Sequence, residues 1–198
     1  MLSNPEASGF TVEPFAVPTA DGVVLQATLL TPTRGNPRGT ILMLHGISAR
    51  KEQNLAIATR LVSAGYRCIL YDSRAHGESG GEFVSYGWRE VADAQAVIDA
   101  AIAQFEQPEQ PLAPFGLFGR SLGASVGLQL LPEEPRLQSA VLVSPFSRLE
   151  DVMAETAAPY LGRWGAAAVL PLVSGVMRWR TGGFESGWEQ GFELGFNP

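Results

Sequence analysis

Four short apolar runs are spaced along the chain, and segments with helical periodicity follow them. The runs span residues 40–44, 66–71, 115–118 and 140–143. Their length and unbroken apolar character predict strands that are buried on both faces of a sheet. Apolar residues recur every three or four positions in 55–62, 88–105 and 121–131, which predicts helices. Strands that alternate with helices predict βαβ units and a mostly parallel sheet, which is an α/β fold.

Two further extended segments, 10–17 and 23–30, precede this alternation. The Asp21-Gly22 pair between them is a strong turn signal, so the two segments predict an N-terminal β-hairpin.

The alternation of predicted strands and helices stops after the last apolar run. Residues 152–180 have a helical pattern, and no further strand is predicted after them. The chain contains neither an internal repeat nor a low-complexity linker, so we predict one domain over residues 1–198. Its core of sheet and helices would span 10–147, and a helical segment would span 148–198.

Composition excludes several classes of protein. With 45% hydrophobic and 17% charged residues among 198, the chain has the makeup of a soluble globular domain. A net charge of -6 and the lack of a Lys/Arg cluster argue against a nucleic-acid partner. The first residues lack the features of a signal peptide, and no apolar stretch reaches the roughly 20 residues of a membrane span. We therefore expect a cytoplasmic protein without a membrane span.

Cofactor and metal chemistry find little support in the sequence. The two histidines and the single cysteine do not have the spacing of a metal site. The glycine-rich segment 77–81 matches no nucleotide-binding pattern, so we expect no cofactor and no metal. Cys68 lies in an apolar run, which predicts a buried, reduced thiol.

One segment has the form of an activated-serine motif. Gly119-Arg120-Ser121-Leu122-Gly123 lies between a predicted strand and a predicted helix. Such a junction forces a sharp turn, and the flanking glycines let the strand and helix backbones pass closely while Ser121 projects outward. The alternative is an ordinary turn in which Ser121 caps the helix.

Other strand ends carry matching segments. His45-Gly46-Ile47 follows the first apolar run, residues 72–81 follow the second, and Ser144-Pro145-Phe146 follows the last. Together with the serine motif, this ordered set resembles the α/β-hydrolase superfamily, in particular its esterase-like and serine-aminopeptidase-like members. The resemblance implies an α/β-hydrolase fold with a mostly parallel sheet flanked by helices, an N-terminal hairpin and a partial helical cap. It also implies that Ser121 is the nucleophile, and that the backbone N–H groups of Ile47 and Leu122 form the oxyanion hole.

The resemblance leaves the catalytic acid and base without a residue. In the family order both follow the nucleophile, but Asp151 and several glutamates follow Ser121 here, and no histidine does. His45 resembles a loop residue that shapes the oxyanion turn. His76 resembles a turn residue, with a role as base in an unusual arrangement as the alternative. Asp72 is expected to fix its loop by accepting backbone N–H bonds.

Two explanations account for the missing base. In one, the chain is an incomplete version of a longer hydrolase whose sheet would continue with two more strands. In the other, it is a short protein whose serine turn binds a ligand, or to which a partner chain or a second copy supplies the missing strands. We predict a serine hydrolase of a carboxylic ester, thioester or small amide that acts through a Ser121 acyl-enzyme, the 198-residue chain alone being inactive. The alternative is a non-catalytic ligand-binding or interaction module.

Overall fold

A computed structural model describes residues 9–109 and 111–146. The six strands found there are β1 Phe10–Pro18, β2 Val24–Pro32, β3 Thr40–Leu44, β4 Arg67–Tyr71, β5 Phe115–Arg120 and β6 Leu137–Val143. The helices are α1 Leu55–Ser63, α2 Glu90–Phe105 and α3 Leu122–Leu130, and a 3₁₀ turn at Lys51–Asn54 leads into α1. Each predicted strand and helix of this part is present, with ends that differ by a few residues.

The six strands form one sheet in the order β1-β2-β4-β3-β5-β6. β1 and β2 are antiparallel and form the predicted hairpin, and β2 is antiparallel to β4. β4, β3, β5 and β6 run parallel to one another, with α1, α2 and α3 in the crossovers between them. The prediction of a mostly parallel sheet with an N-terminal hairpin is therefore confirmed.

The central strands carry the core. Every residue of β4 is buried, and Leu42, Met43 and Leu44 of β3 are almost completely shielded. α2 covers the sheet with one apolar face that includes Val97, Ile98 and Ala101. Cys68 of β4 is buried as predicted, and burial raises the pKa of its thiol to about 12.

The prediction that residues 140–143 form a buried strand is wrong. The strand exists and is longer, but Val141 is 60% exposed and Val143 is 42% exposed. β6 pairs with β5 on one side, and no strand of the described residues pairs with its other side. An apolar run indicates a strand, but it does not reveal whether that strand lies at the centre or the edge of a sheet.

The chain divides after Pro145, and the described residues belong almost entirely to the first unit. The predicted helical segment 148–198, its possible role as a cap, and Asp151 lie outside the described residues. One domain over 1–198 therefore stays a prediction. None of the helices among residues 9–109 and 111–146 has the length and apolar character needed to cross a membrane. The cytoplasmic location likewise stays a prediction.

Candidate active site

Backbone strain is concentrated at the edge of the sheet where the parallel strands have their carboxyl ends. Among the described residues, five that are not glycine have positive φ: Ser48 (56°), Ala75 (59°), Tyr86 (54°), Ser121 (49°) and Ser144 (54°). All except Tyr86 follow the carboxyl end of a parallel strand, one strand each. Positive φ disfavours residues with a Cβ by on the order of 1 kcal/mol or more, and such residues cluster at functional sites. This edge is therefore the candidate active site.

Ser121 occupies a tight junction between β5 and α3. Its backbone has φ 49° and ψ −117°, and its N–H donates to the carbonyl of Val143 at 2.9 Å. A Cβ on Gly123 would lie 2.5 Å from the carbonyl oxygen of Leu44, and one on Gly119 would lie 2.5 Å from that of Gly123. Only glycine permits this approach. The Ser121 side chain makes no capping hydrogen bond to α3, so the alternative of a capping serine is not supported.

The loop of residues 45–50, which we call the 45–50 loop, lies beside this serine. A Cβ placed on Gly46 would be 3.5 Å from the Cβ of Ser121. The Gly46 N–H donates to Oε1 of Gln53 at 2.8 Å, and the Ser48 N–H donates to Nε2 of His76 at 3.1 Å. Within residues 46–49, Ile47 has the one N–H that finds no acceptor among the described residues.

A second set of backbone donors lies at the start of α3. The first N–H groups of a helix have no partner within the helix, and the helix dipole favours negative charge at that end. The N–H groups of Leu122 and Gly123 are in this position, directly after Ser121. The structure thus brings the three predicted site residues, Ser121, Ile47 and Leu122, to the same edge of the sheet.

His45 is held by backbone groups on both ring nitrogens. Its Nδ1–H donates to the Gly46 carbonyl at 2.8 Å, and its Nε2 accepts the Ser73 N–H at 2.9 Å. We assign this tautomer because a carbonyl can only accept and a backbone N–H can only donate. Burial lowers the pKa of His45, which favours the same neutral form. The predicted structural role of His45 is confirmed.

His76 is held in the same way. Its Nδ1–H donates to the Arg74 carbonyl at 2.9 Å, and its Nε2 accepts from Ser48. Its ring lies edge-on against that of His45, with 5.0 Å between centroids. Neither histidine therefore offers a free nitrogen to Ser121, and the structure gives no support to His76 as a general base.

Asp72 joins the loop that follows β4 to Lys51, the residue directly after the 45–50 loop. Its buried carboxylate accepts from Lys51 N–H at 2.7 Å, Lys51 Nζ at 2.8 Å and Glu78 N–H at 3.0 Å. Burial alone would raise the pKa of Asp72, but these donors hold it below its ordinary value. A Cβ on Gly77, which has φ 55°, would collide with this carboxylate. The expectation that Asp72 accepts backbone N–H bonds is confirmed, and its reach across to residue 51 was not foreseen.

A partly buried ion-pair network supports the same loop and was not found from the sequence. Arg74 donates through Nε and Nη2 to Asp93 of α2 at 2.7 and 2.6 Å. Its Nη1 reaches Asp21 in the hairpin turn at 3.0 Å, and Arg89 also contacts Asp21 at 2.6 Å. The hydrogen bond from Arg74 is the main reason that the pKa of Asp21 is well below its usual range. No sequence signal pairs residues so far apart in the chain.

No group of three potential metal-ligating side chains was found within the described part of the chain.

Comparison with known sequences places this geometry in context. A family model described as serine aminopeptidase, S33, matches residues 35–182. The quorum-quenching protein AidA of Acinetobacter baumannii is 28% identical over 134 residues, which are 65% of this chain and 42% of that protein. YqkD of Bacillus subtilis, an uncharacterised protein, is 27% identical over 114 residues, or 58% of this chain and 35% of that protein. The chain spans less than half the length of these curated relatives.

Solved structures share the fold. Esterase Pf2001 of Pyrococcus furiosus matches with a TM-score of 0.68 and 25% identity, covering 85% of this chain and 66% of that chain. The α/β-hydrolase GrgF of a Penicillium species has a TM-score of 0.61 and 21% identity, covering 86% and 54% of the two chains. These likenesses confirm the α/β-hydrolase fold that the sequence predicts.

Proposed function

Because the chain belongs to the serine aminopeptidase S33 family of α/β-hydrolases, we propose that it contributes the nucleophile and oxyanion hole of a serine hydrolase. The substrate would be a small molecule with a carboxylic ester, a thioester or a small amide. An esterase among the structural neighbours at 25% identity favours the ester.

In the proposed reaction, Oγ of Ser121 attacks the carbonyl carbon and loses its proton to a base. The carbonyl oxygen takes up the negative charge and accepts hydrogen bonds from the N–H groups of Ile47 and Leu122. When the tetrahedral intermediate collapses, the leaving alcohol, thiol or amine departs with a proton and leaves an acyl group on Ser121. Water then hydrolyses that ester and restores the serine.

One observation carries this proposal: the N–H of Ile47 has no acceptor among the described residues, while the amides on both sides of it are bonded. An oxyanion donor must be unpaired before the substrate arrives and aimed from a fixed backbone. The neighbours of Ile47 supply that fixed backbone, and Gly46 supplies the closeness to Ser121.

The proposal includes little or no turnover by the 198-residue chain alone. A serine hydroxyl is a weak nucleophile near neutral pH unless a neighbouring base removes its proton. The chain has two histidines, and each already uses both ring nitrogens on backbone groups. The same observation favours the second candidate function, a non-catalytic ligand-binding or interaction module that keeps the serine turn without its chemistry.

Supplying a base from solution tests the first candidate against the second. The chain is incubated with p-nitrophenyl acetate, with and without imidazole, and acetylation of the peptide that contains Ser121 is followed by mass spectrometry. Ser121→Ala removes the acceptor. Ser63→Ala, an exposed serine at the end of α1, is the matched control.

We expect imidazole to promote acetylation at Ser121 in the wild type and in Ser63→Ala, and not in Ser121→Ala. Absence of any Ser121-dependent acetylation, with or without imidazole, would favour the non-catalytic module. Rapid Ser121-dependent turnover without imidazole would contradict the inactivity of the chain.

A further inference from the structure

We propose that His76 is a positioning residue for the oxyanion hole: its unprotonated Nε2 anchors the Ser48 N–H and thereby limits the rotation of Ile47, whose own N–H is the oxyanion donor. The inference rests on the proposed function, since it assigns a purpose to the 45–50 loop. It gives His76 a role through the loop and none as a base.

The first argument comes from the backbone of Ser48. With φ 56°, Ser48 lies in the left-handed region, which a residue with a Cβ does not adopt without compensation. The hydrogen bond from its N–H to His76 is the compensating contact, at 3.1 Å. The Ile47 carbonyl and the Ser48 N–H belong to one peptide unit, and the Ile47 N–H belongs to the unit before it. Holding the Ser48 N–H therefore limits rotation about Ile47 between the two units.

The second argument is that few other contacts hold the backbone amides of this part of the loop. Gln53 accepts from the Gly46 N–H before it, and Asp72 accepts from the Lys51 N–H after it. The Gly46 carbonyl accepts from His45 at 2.8 Å and, over a longer distance of 3.3 Å, from the Ala49 N–H. The Arg50 carbonyl accepts from the Gln53 N–H at 2.9 Å. The bond to His76 is the one side-chain contact to a backbone amide in this interval.

His76 is itself rigid enough to serve as an anchor. Its side chain is largely buried, at 8% exposure, and its Nδ1–H is committed to the Arg74 carbonyl. Its own N–H donates to the Ser73 carbonyl, and its carbonyl accepts from Ser79, both at 3.0 Å. A group held at three points presents its lone pair in a fixed direction, which is what preorganisation of an oxyanion hole requires.

Two substitutions separate the anchor from simple packing. His76→Leu removes the acceptor, whereas His76→Gln places an amide oxygen near the position of Nε2. Protection of the Ser48 amide is measured by hydrogen exchange at pH 8, after correction for the intrinsic exchange rate. The imidazole-promoted acetylation of Ser121 is measured on the same proteins at pH 8.

We expect the Ser48 amide to exchange at least tenfold faster in His76→Leu at pH 8, and acetylation of Ser121 to slow by about tenfold. His76→Gln should restore both. The amide of Ile98, in the core of α2, reports global stability and should exchange equally in the wild type and in His76→Gln.

Equal protection of Ser48 in all three proteins at pH 8 would overturn the proposal. If His76→Leu also exposes Ile98 to exchange, His76→Gln decides, because it keeps an acceptor for the Ser48 N–H. Loss of Ser48 protection in His76→Gln, with Ile98 still protected, would overturn the proposal. Failure of the proposed function has a different signature, because Ser121 would not be acetylated in any variant while Ser48 exchange still responded to His76.

Discussion

Two carboxylates hold the same ammonium group, and they differ mainly in burial. Nζ of Lys51 lies 2.8 Å from Asp72 and 2.7 Å from Glu78, whose side chains are 0% and 71% exposed. Asp72→Asn removes a buried charge that accepts from Lys51 Nζ and from two backbone N–H groups. Hydrogen bonds to charged groups contribute about 1.5–3 kcal/mol each, and the amide oxygen of asparagine replaces part of that. We expect Asp72→Asn to lower the free energy of unfolding by about 2–3 kcal/mol.

Glu78→Gln is the matched control, because it removes the other carboxylate from the same ammonium. An exposed ion pair contributes at most about 1 kcal/mol to the free energy of unfolding, so Glu78→Gln should lower that free energy by less than about 1 kcal/mol. Both free energies come from urea denaturation of the full chain at pH 7, followed by circular dichroism. A loss that is the same for both variants to within about 0.5 kcal/mol would refute the reasoning that burial decides the value of these contacts.

The pH dependence provides a second check on Asp72. Its pKa in the folded protein lies below the value of 3.8 that it has without a partner. In acid the unfolded chain therefore takes up the proton before the folded chain does, and the stabilisation is lost as the pH falls. The difference in the free energy of unfolding between the wild type and Asp72→Asn should be constant from pH 8 to about pH 5 and become smaller below pH 3.8. A difference that grew on acidification would contradict the assignment.

Three further predictions follow from the same structure. Gly123→Ala should lower the free energy of unfolding, measured by urea denaturation, by more than about 2 kcal/mol, because its Cβ would lie 2.5 Å from the Leu44 carbonyl oxygen. In Gly46→Ala, the control, the new Cβ has contacts of 3.5 Å or more, so the free energy of unfolding should change by less than about 1 kcal/mol. Cys68 should not react with Ellman's reagent at pH 8 in the native chain and should react at once in denaturant, since its thiol is buried; rapid native labelling would contradict this. Burial lowers the pKa of His45 below its ordinary value of 6.5. The free energy of unfolding should therefore be constant above pH 6.5 and fall below it by at most about 1.4 kcal/mol per pH unit. His45→Gln should reduce that slope in urea denaturation series from pH 8 to pH 5.

The sequence predicted the described part of the fold well because local patterns determine it. The apolar side chains of a run such as 66–71 are buried on both faces only when the strand lies in the interior of a sheet. The helix after Ser121 forms the crossover that joins β5 to the parallel strand β6. The exposure of Val141 was not predicted, because it depends on whether another strand pairs with the side of β6 that faces away from β5, and no strand of residues 9–109 and 111–146 does so. Pairing across a sheet is a long-range property that no window of residues contains.

The candidate site was predicted in part for the same reason. Ser121, Ile47 and Leu122 each follow or begin a predicted element, so the topology alone brings them together. The contacts that hold the 45–50 loop were not predictable in this way. Gln53 accepts from Gly46, and Asp72 accepts from Lys51, through side chains with no distinguishing neighbours in the sequence.

The loops that follow β3 and β4 therefore act as one structural unit. Residues 45–50 supply the donor beside Ser121. Their bonds to His76 and Ser73, and the bond from the adjoining Lys51 to Asp72, place several of the stabilising groups in the second loop. That second loop contacts α2 and the hairpin turn through Arg74, so its position is set by elements remote from Ser121. An oxyanion donor must stay in place while water competes for it, and a single short loop with a strained residue such as Ser48 could not supply that rigidity alone. Distributing the anchors over a second, buried loop allows the 45–50 loop to keep the unpaired N–H of Ile47 at the surface.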